Sequence, residues 1–410
     1  MSQERIKILE MLEAGKITAE ETAQLLDALK GTGQPAGEKT RKSKPTPPGP
    51  FSFNMNFMDG PKQTDANLKN VQFDGQDLDT VDLSNANLKS VDFRGANLHH
   101  TNLSGANLKD ITFSGANLRN ANLSGCSLME LDLSDQNLEG ANWSGCSLKD
   151  IDLSGAQFKT AHLSGASLKD VDLQDTDLTD ANLSGSAFKD TDFSSASLRG
   201  ANLSGISMKD LDLSGLNLDG VNWSGSNFKD VDLEGARLES TNLSGANFKD
   251  ANFGNANLTN ANLSGSNFRE THFEGTNLEG ANLSGTSIPE PDFSGLNLRG
   301  VNWSGCRFEN TRLAGARLEG VHFAGADLRG TNFKNATLTN ANLSGANLKN
   351  ATFEGANLEG VDLSKANLEG ANFQDADLRD IPMKGASMPG FNYAKDAFPQ
   401  APNPDPDPEN

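Results

Sequence analysis

The stretch Ala181-Asn182-Leu183-Ser184-Gly185 recurs unchanged as Ala261-Asn262-Leu263-Ser264-Gly265. A large apolar residue sits at the centre, a small one stands two places before it, and polar residues fill the other three positions. From Leu68 to Phe398 every fifth residue is large and apolar, without insertion or exception over 67 consecutive positions. Neither an α-helix, with a period of about 3.6, nor a flat strand, with a period of about 2, can turn such a series to one side. A chain that turns a corner every five residues can.

A second period of 20 lies over the first. Ser-Gly follows the central residue at 104–105, 124–125 and 144–145 and continues to 344–345, with Ala324-Gly325 the one variant. Lys-Asp recurs at 149–150, 169–170, 189–190, 209–210, 229–230 and 249–250. Outward residues repeat in this way only if residues 20 apart lie above one another, so each coil has four five-residue sides. Here the chain resembles the pentapeptide-repeat family, whose unit is a small residue, Asp or Asn, Leu or Phe, and two variable residues. The resemblance covers residues 66–398. It implies an all-β, right-handed quadrilateral β-helix of about 16–17 coils, with the small and central residues inside. At about 4.8 Å per coil the expected rod is roughly 80 Å long. Such a stack needs closed ends. Residues 51–65, with Phe51, Phe53 and Phe57, are read as the N-terminal cap. Phe391 and Asp396 in small-residue slots, with Pro382 and Pro389 nearby, are read as the closing cap.

Outside the repeats, residues 1–30 read as a helical hairpin. Ile6, Leu9 and Leu12 share a face of the first helix, Gly15 stops it, Thr18-Ala19-Glu20-Glu21 makes a capping box, and Leu25, Leu26 and Leu29 line the second helix. Those six apolar residues form a candidate adaptor face. A hairpin of this size falls below the roughly 40 residues at which a domain folds unaided, so it should dock on itself, the solenoid or a partner. Through Arg5, Ile8-Leu9, Gly15-Lys16-Ile17-Thr18, Glu20-Glu21 and Leu25-Leu26 it resembles the SHOCT-like hairpin of bacterial envelope-stress proteins, which implies an adaptor role. Residues 31–50 read as a basic, Pro/Gly-containing flexible linker, and residues 399–410 as a disordered acidic tail.

The whole chain is 35% hydrophobic with a formal net charge of −20, values that in an aperiodic sequence lean toward disorder. The regular placement of the apolar residues overrides that reading. Three cysteines, no N-terminal apolar leader and no apolar run near 20 residues point to a reduced, soluble, cytoplasmic protein without a membrane span. Cys126, Cys146 and Cys306 all occupy the small inward slot and are read as core filling, although Cys126 and Cys146 stand one coil apart, near disulfide distance. Trp143, Trp223 and Trp303, in central positions, are read the same way. Pro289 and Pro291, flanking Glu290, are expected to remove two ladder donors.

The five histidines, His99, His100, His162, His272 and His322, show no recurring nucleophile or metal partner. Catalytic, cofactor-binding and metal residues are therefore not assigned, and no cofactor is expected. The candidate partner-binding feature is an acidic ridge of Asp150 and Asp152, Asp170 and Asp172, Asp190 and Asp192, Asp210 and Asp212, and Asp230 and Asp232, two carboxylates per rung. At about 4.8 Å per rung this is one charge per ~2.4 Å, against one per ~1.7 Å of duplex DNA. The expected function is a non-enzymatic protein-interaction scaffold, presenting a rigid acidic β-helical rod and recruiting a protein through its faces or through the hairpin. The alternative is a DNA-mimicking modulator of DNA gyrase, another topoisomerase or another DNA-binding protein, a role the resemblance attaches to some family members. Neither reading expects direct nucleic-acid binding, and self-association through the hairpin or the solenoid ends is a third option.

Overall fold

The computed structural model describes residues 66–288 and 291–390. The hairpin with its adaptor face, the linker, the N-terminal cap, Pro289, Glu290, Phe391, Asp396 and the tail lie outside the described residues. The chain divides into two units at Ser197–Leu198, and each is a parallel β-helix. In the first unit β1 (Ser127–Asp132), β2 (Ser147–Asp152), β3 (Ser167–Asp172) and β4 (Ala187–Lys189) pair in sequence order, with Leu128 on Leu148, Leu148 on Leu168 and Leu168 on Phe188. In the second, β5 (Ser207–Lys209), β6 (Asn227–Lys229), β7 (Asn247–Lys249) and β8 (Asn267–Arg269) pair likewise, with Met208, Phe228, Phe248 and Phe268 in register. On the other sides of the coil single parallel bridges join residues 20 apart, such as Asn102 to Asn122 and Asn222 to Asn242. The period of 20 is thus one turn of the helix in both units.

Backbone accounting over Ala121–Gly125 explains why the unit is five residues long. Ala121 N–H donates to the Leu118 carbonyl at 3.0 Å and closes a β-turn. Asn122 N–H donates to Thr101 on the preceding coil at 2.9 Å. Leu123 and Gly125 donate to Asn142 and Ser144 on the next coil at 2.7 and 2.9 Å. Only Ser124 N–H has no backbone acceptor, and Asn122 Oδ1 takes it at 3.1 Å. All five donors are therefore satisfied within one repeat and its neighbours, as buried and half-buried amides require. The last residue of each unit sits at positive φ, +72° at Gly125 and +57° at Asn120, as the third position of a type II turn demands. Gly, Asn and Asp tolerate this conformation best, which accounts for their recurrence there.

The turns point the central side chains inward, and among the described residues all but Met383 and Met388 at the C-terminal end are buried. Leu123, Trp143, Leu163 and Leu183 in the first unit, and Leu203, Trp223, Leu243 and Leu263 in the second, are fully buried. Aromatic rings stack along the axis where Phe recurs, with centroids 4.7 Å apart for Phe228 and Phe248 and 4.6 Å for Phe353 and Phe373. The three tryptophans are core, as expected, and pack against Phe158, Phe228 and Phe323 among others.

Where a buried Thr, Ser or Cys fills the small slot, its donor reaches the carbonyl of a central residue, on the same coil at Thr176, Thr286 and Thr311 and otherwise on the preceding coil. Thr101 Oγ1 bonds Leu78 O at 2.7 Å, and Ser266 Oγ bonds Leu243 O at 2.6 Å. The three cysteines are free, buried and bound in the same manner, with Sγ 3.0–3.1 Å from Leu103, Leu123 and Leu283 carbonyls.

The prolines act differently from one another. Pro382 occupies the slot whose N–H continues the ladder, so it ends donation there while its carbonyl still accepts from Leu363 at 2.9 Å. Pro291 occupies the small slot, whose N–H serves the turn, so it removes a turn donor and not the ladder donor expected from sequence.

The corner conformation makes a specific prediction. Gly145 has φ +66° and nothing within 4 Å of where a Cβ would stand, so substitution there tests backbone strain alone. Gly145→Ala should destabilise the flanking coils by about 1–2 kcal/mol, and Gly145→Asn by less, read from amide hydrogen exchange of Leu123–Leu163.

Candidate acidic interaction face

The two carboxylate series of the ridge occupy different slots and do different work. Asp150, Asp170 and Asp190 in the first unit, and Asp210 and Asp230 in the second, are corner residues at φ +52° to +55°. Their exposed carboxylates lie beside the lysine that precedes each of them. The Lys149–Asp150 pair closes to 2.8 Å, Lys209–Asp210 to 2.6 Å and Lys229–Asp230 to 3.3 Å, and Lys169 bonds Asp170 directly. The hydrogen bond from Lys169 holds the Asp170 carboxyl below the usual carboxylate range, and Lys209 does the same for Asp210. These pairs are solvent-exposed and add little stability, but they neutralise one carboxylate of a rung.

Asp152, Asp172, Asp192, Asp212 and Asp232 sit in the slot before the central residue. There Oδ1 accepts the N–H two residues on, at 2.9 Å from Ser154, 2.9 Å from Gln174 and 2.8 Å from Ser194 in the first unit. Ser214 and Glu234 donate in the same way at 2.9 and 3.0 Å in the second. No lysine is bonded to these five among the described residues. The charge left on a lysine-paired rung is therefore one carboxylate, or one per ~4.8 Å of axis.

What distinguishes this series is the donor it lacks. In the same slot on other sides of the coil, Asn Nδ2 bonds the Oδ1 one coil earlier: Asn122 to Asn102 at 3.0 Å and Asn142 to Asn122 at 3.1 Å, then Asn222 to Asn202 and Asn242 to Asn222 at 2.9 Å. Asp152 stands in register with Asp172, and Asp172 with Asp192, so carboxylate faces carboxylate with no amide between them. Asp212 meets Asp232 likewise until Asn252 Nδ2 ends the run at 3.1 Å from Asp232 Oδ1. Like charges directly opposite are destabilising. The structure also adds Asp132, in register below Asp152 and bonded by the Ser134 hydroxyl at 2.6 Å. The sequence reading missed it because Met129-Glu130 interrupts the Lys-Asp pattern that drew attention to the ridge.

Residues 52–123, 141–223, 186–263, 213–283 and 246–323 match the profile of a pentapeptide repeat region, and 316–355, 341–380 and 353–388 match that of pentapeptide repeats. The chain belongs to the pentapeptide-repeat family. Residues 3–34 match a SHOCT-like domain. Among solved structures, the chain is similar to HetL, a pentapeptide-repeat protein involved in heterocyst differentiation regulation from the cyanobacterium Nostoc sp. strain PCC 7120. That match has 26% identity over 65% of this chain and 88% of that one, with a TM-score of 0.19. It is also similar to QnrB1, a plasmid-mediated fluoroquinolone resistance protein, at 17% identity over 48% and 85%, with a TM-score of 0.26. Rfr23 from the cyanobacterium Cyanothece 51142 matches at 30% identity over 25% and 64%, with a TM-score of 0.14. No curated protein sequence matches the chain.

As in the family unit, Asp or Asn before the central residue is a backbone acceptor first and a surface charge second. The remaining site residues are dispersed. His162 and His322 occupy that same slot far from the ridge corner, whereas His99 and His100 meet Asp79 at a corner of the first unit. No helix among the described residues is long and apolar enough to cross a membrane.

Burial pushes the Cys126 thiol up to about 11 and the Cys146 thiol up to about 12, and it raises Cys306 as well. At neutral pH none of the three should react with a thiol reagent such as DTNB in the native protein, and all three should react in denaturant. The acid response follows from the depressed carboxyls. Hydrogen bonds from the Ser134 and Ser214 hydroxyls hold Asp132 and Asp212 below the ordinary range. Such groups stabilise the fold above the unfolded value of about 4, and that contribution disappears as pH falls through the lower folded value. Thermal midpoints should be level from pH 7 to pH 5 and fall below about pH 4, with a shallower fall in the Asp132→Asn/Asp212→Asn variant.

Proposed function

We propose that this protein is a non-enzymatic interaction scaffold whose β-helix presents an acidic face to a basic protein partner, with the SHOCT-like hairpin as a second point of recruitment. The observation that carries this reading is the aspartate series itself. Asparagine would accept the same turn N–H, donate to the neighbouring coil and carry no charge, as it does at Asn122 and Asn142. At Asp152, Asp172 and Asp192 the chain holds the charged residue where the neutral one is structurally better. A feature that opposes stability and stays on the surface is the signature of a binding site more than of a fold.

The DNA-mimic reading shares this face and adds the demand that its charge density approach that of duplex DNA. The Lys149–Asp150 and Lys169–Asp170 pairs oppose it, because they halve the charge of those rungs. We therefore favour recognition of a basic protein patch over imitation of the duplex.

The test is the triple variant Asp152→Asn/Asp172→Asn/Asp192→Asn in the full-length chain. Its thermal midpoint should rise, because ladder bonds form and like charges are removed. Proteins captured on the wild-type chain should be lost from the variant and washed from the wild type by about 0.5 M salt. Retention on the variant, with loss on a chain lacking residues 1–50, would assign recruitment to the hairpin instead. Capture of gyrase on the acidic face would favour the mimic.

A further inference from the structure

One corner of the first unit departs from the repeat chemistry. Asp79 and His99 occupy the same slot, the residue after the central leucine, one coil apart, and His100 follows His99 at the turn. His100 has φ +53°, a conformation uncommon outside Gly, Asn and Asp but open to histidine. The turn brings the two imidazoles together, with ring centroids 3.7 Å apart and planes at 52°. Asp79 Oδ1 lies 3.3 Å from His99 Nδ1 and 3.6 Å from His100 Nδ1. The three ligand atoms all lie within 4.8 Å of one another.

A second observation concerns that oxygen. Asp79 Oδ1 is shielded from solvent and accepts no hydrogen bond, although two ring nitrogens stand close to it. The nitrogens are near enough for an ion pair but not aligned to donate. A shielded carboxylate oxygen without a donor is costly unless a cation compensates it. A cation bound by all three atoms would sit off each N···O line, where no hydrogen-bond alignment is needed. With bonds of about 2.0–2.1 Å, tetrahedral zinc requires ligand atoms ~3.3–3.4 Å apart. The two carboxylate-to-imidazole distances fall at or just above this edge length.

The surroundings fit. Asn120 Nδ2 lies 3.3 Å from His99 Nε2. With Nδ1 on a metal, Nε2 carries the proton and donates to the Asn120 amide oxygen after the amide rotates, the usual outer support of a ligating histidine. Arg119, on the next coil above His99, turns to Glu139 at 3.0 Å, which takes its charge from the site. His100 is exposed, so the outer side of the cluster is open to water as a fourth ligand.

The geometry points to a surface site for a first-row divalent transition ion, held by Asp79, His99 and His100 with water completing the shell. Two imidazoles and one carboxylate select zinc, nickel, copper or cobalt over magnesium and calcium. The single carboxylate and the open position give a site of modest affinity, suited to pinning two coils or bridging to a ligand on a partner.

The test is titration of untagged full-length protein with Co2+, followed by its visible d–d bands and by Zn2+ competition. One equivalent should bind, and Zn2+ should displace it. His99→Gln and Asp79→Asn should each weaken binding by at least about tenfold. His100→Asn, which keeps a residue suited to positive φ, should do the same with an unchanged circular dichroism spectrum. His322→Ala should bind as the wild type does. Absence of a spectral change, or binding that survives His99→Gln and His100→Asn, would overturn the assignment.

Discussion

At most repeats with Asn or Asp before the central residue, the amide two residues on turns away from the ladder and the side-chain oxygen accepts it. Ser124 N–H on Asn122 Oδ1 and Ser264 N–H on Asn262 Oδ1 are instances from the two units. Without that acceptor each of these repeats would carry one donor with no partner in the chain, since its other N–H groups go to the turn and the neighbouring coils. With it, the backbone closes on itself and the interior needs only two kinds of residue, one large and one small. The core then repeats with so little variety that its buried Thr, Ser and Cys side chains bond a central residue's carbonyl, on the preceding coil at Thr101, Cys146 and Ser186 and on the same coil at Thr176.

The acceptor can be neutral or charged, and this separates surface from fold. An Asn at that slot links coils through its amide, and an Asp replaces that link by repulsion while the backbone stays as it was. The acidic series of β2 and β3 is therefore a choice made on the surface. Elsewhere the second unit handles charge in the opposite way, pairing it across coils, as Lys334 with Glu354 and Lys349 with Glu369, both at 2.8 Å. A face that keeps its carboxylates facing one another differs from one that cancels them, and the difference bears on which face meets a partner.

The corner positions carry the other freedom. Positive φ restricts the residue type at the end of each unit, but the side chains project from the coil and make no demand on the core. Lysine-aspartate pairs use this freedom to soften the ridge, and the His99-His100 corner uses it to gather ligating atoms over Asp79. Function in a regular solenoid resides in such departures from the repeat, because the repeat itself is consumed by hydrogen bonding and packing.

The periods of five and 20 alone are enough to give the coil of twenty, the inward central and small residues, and the burial of the cysteines and tryptophans. The period of five is strict and local, and any window between Leu68 and Phe398 displays it. The sequence also located most of the acidic ridge, since aspartates 20 apart must stack. How much of that charge survives is visible only in three dimensions, because Lys149 could reach Asp150, a neighbouring coil or solvent, and the choice is one of rotamer and not of register. The structure alone extended the ridge to Asp132, where the Lys-Asp signal is broken, and alone set Asp79 against two histidines 20 and 21 residues later. Period fixes which backbones are neighbours. Whether two side chains on those neighbours meet depends on the turn conformation that aims them, and a composition pattern does not carry that angle.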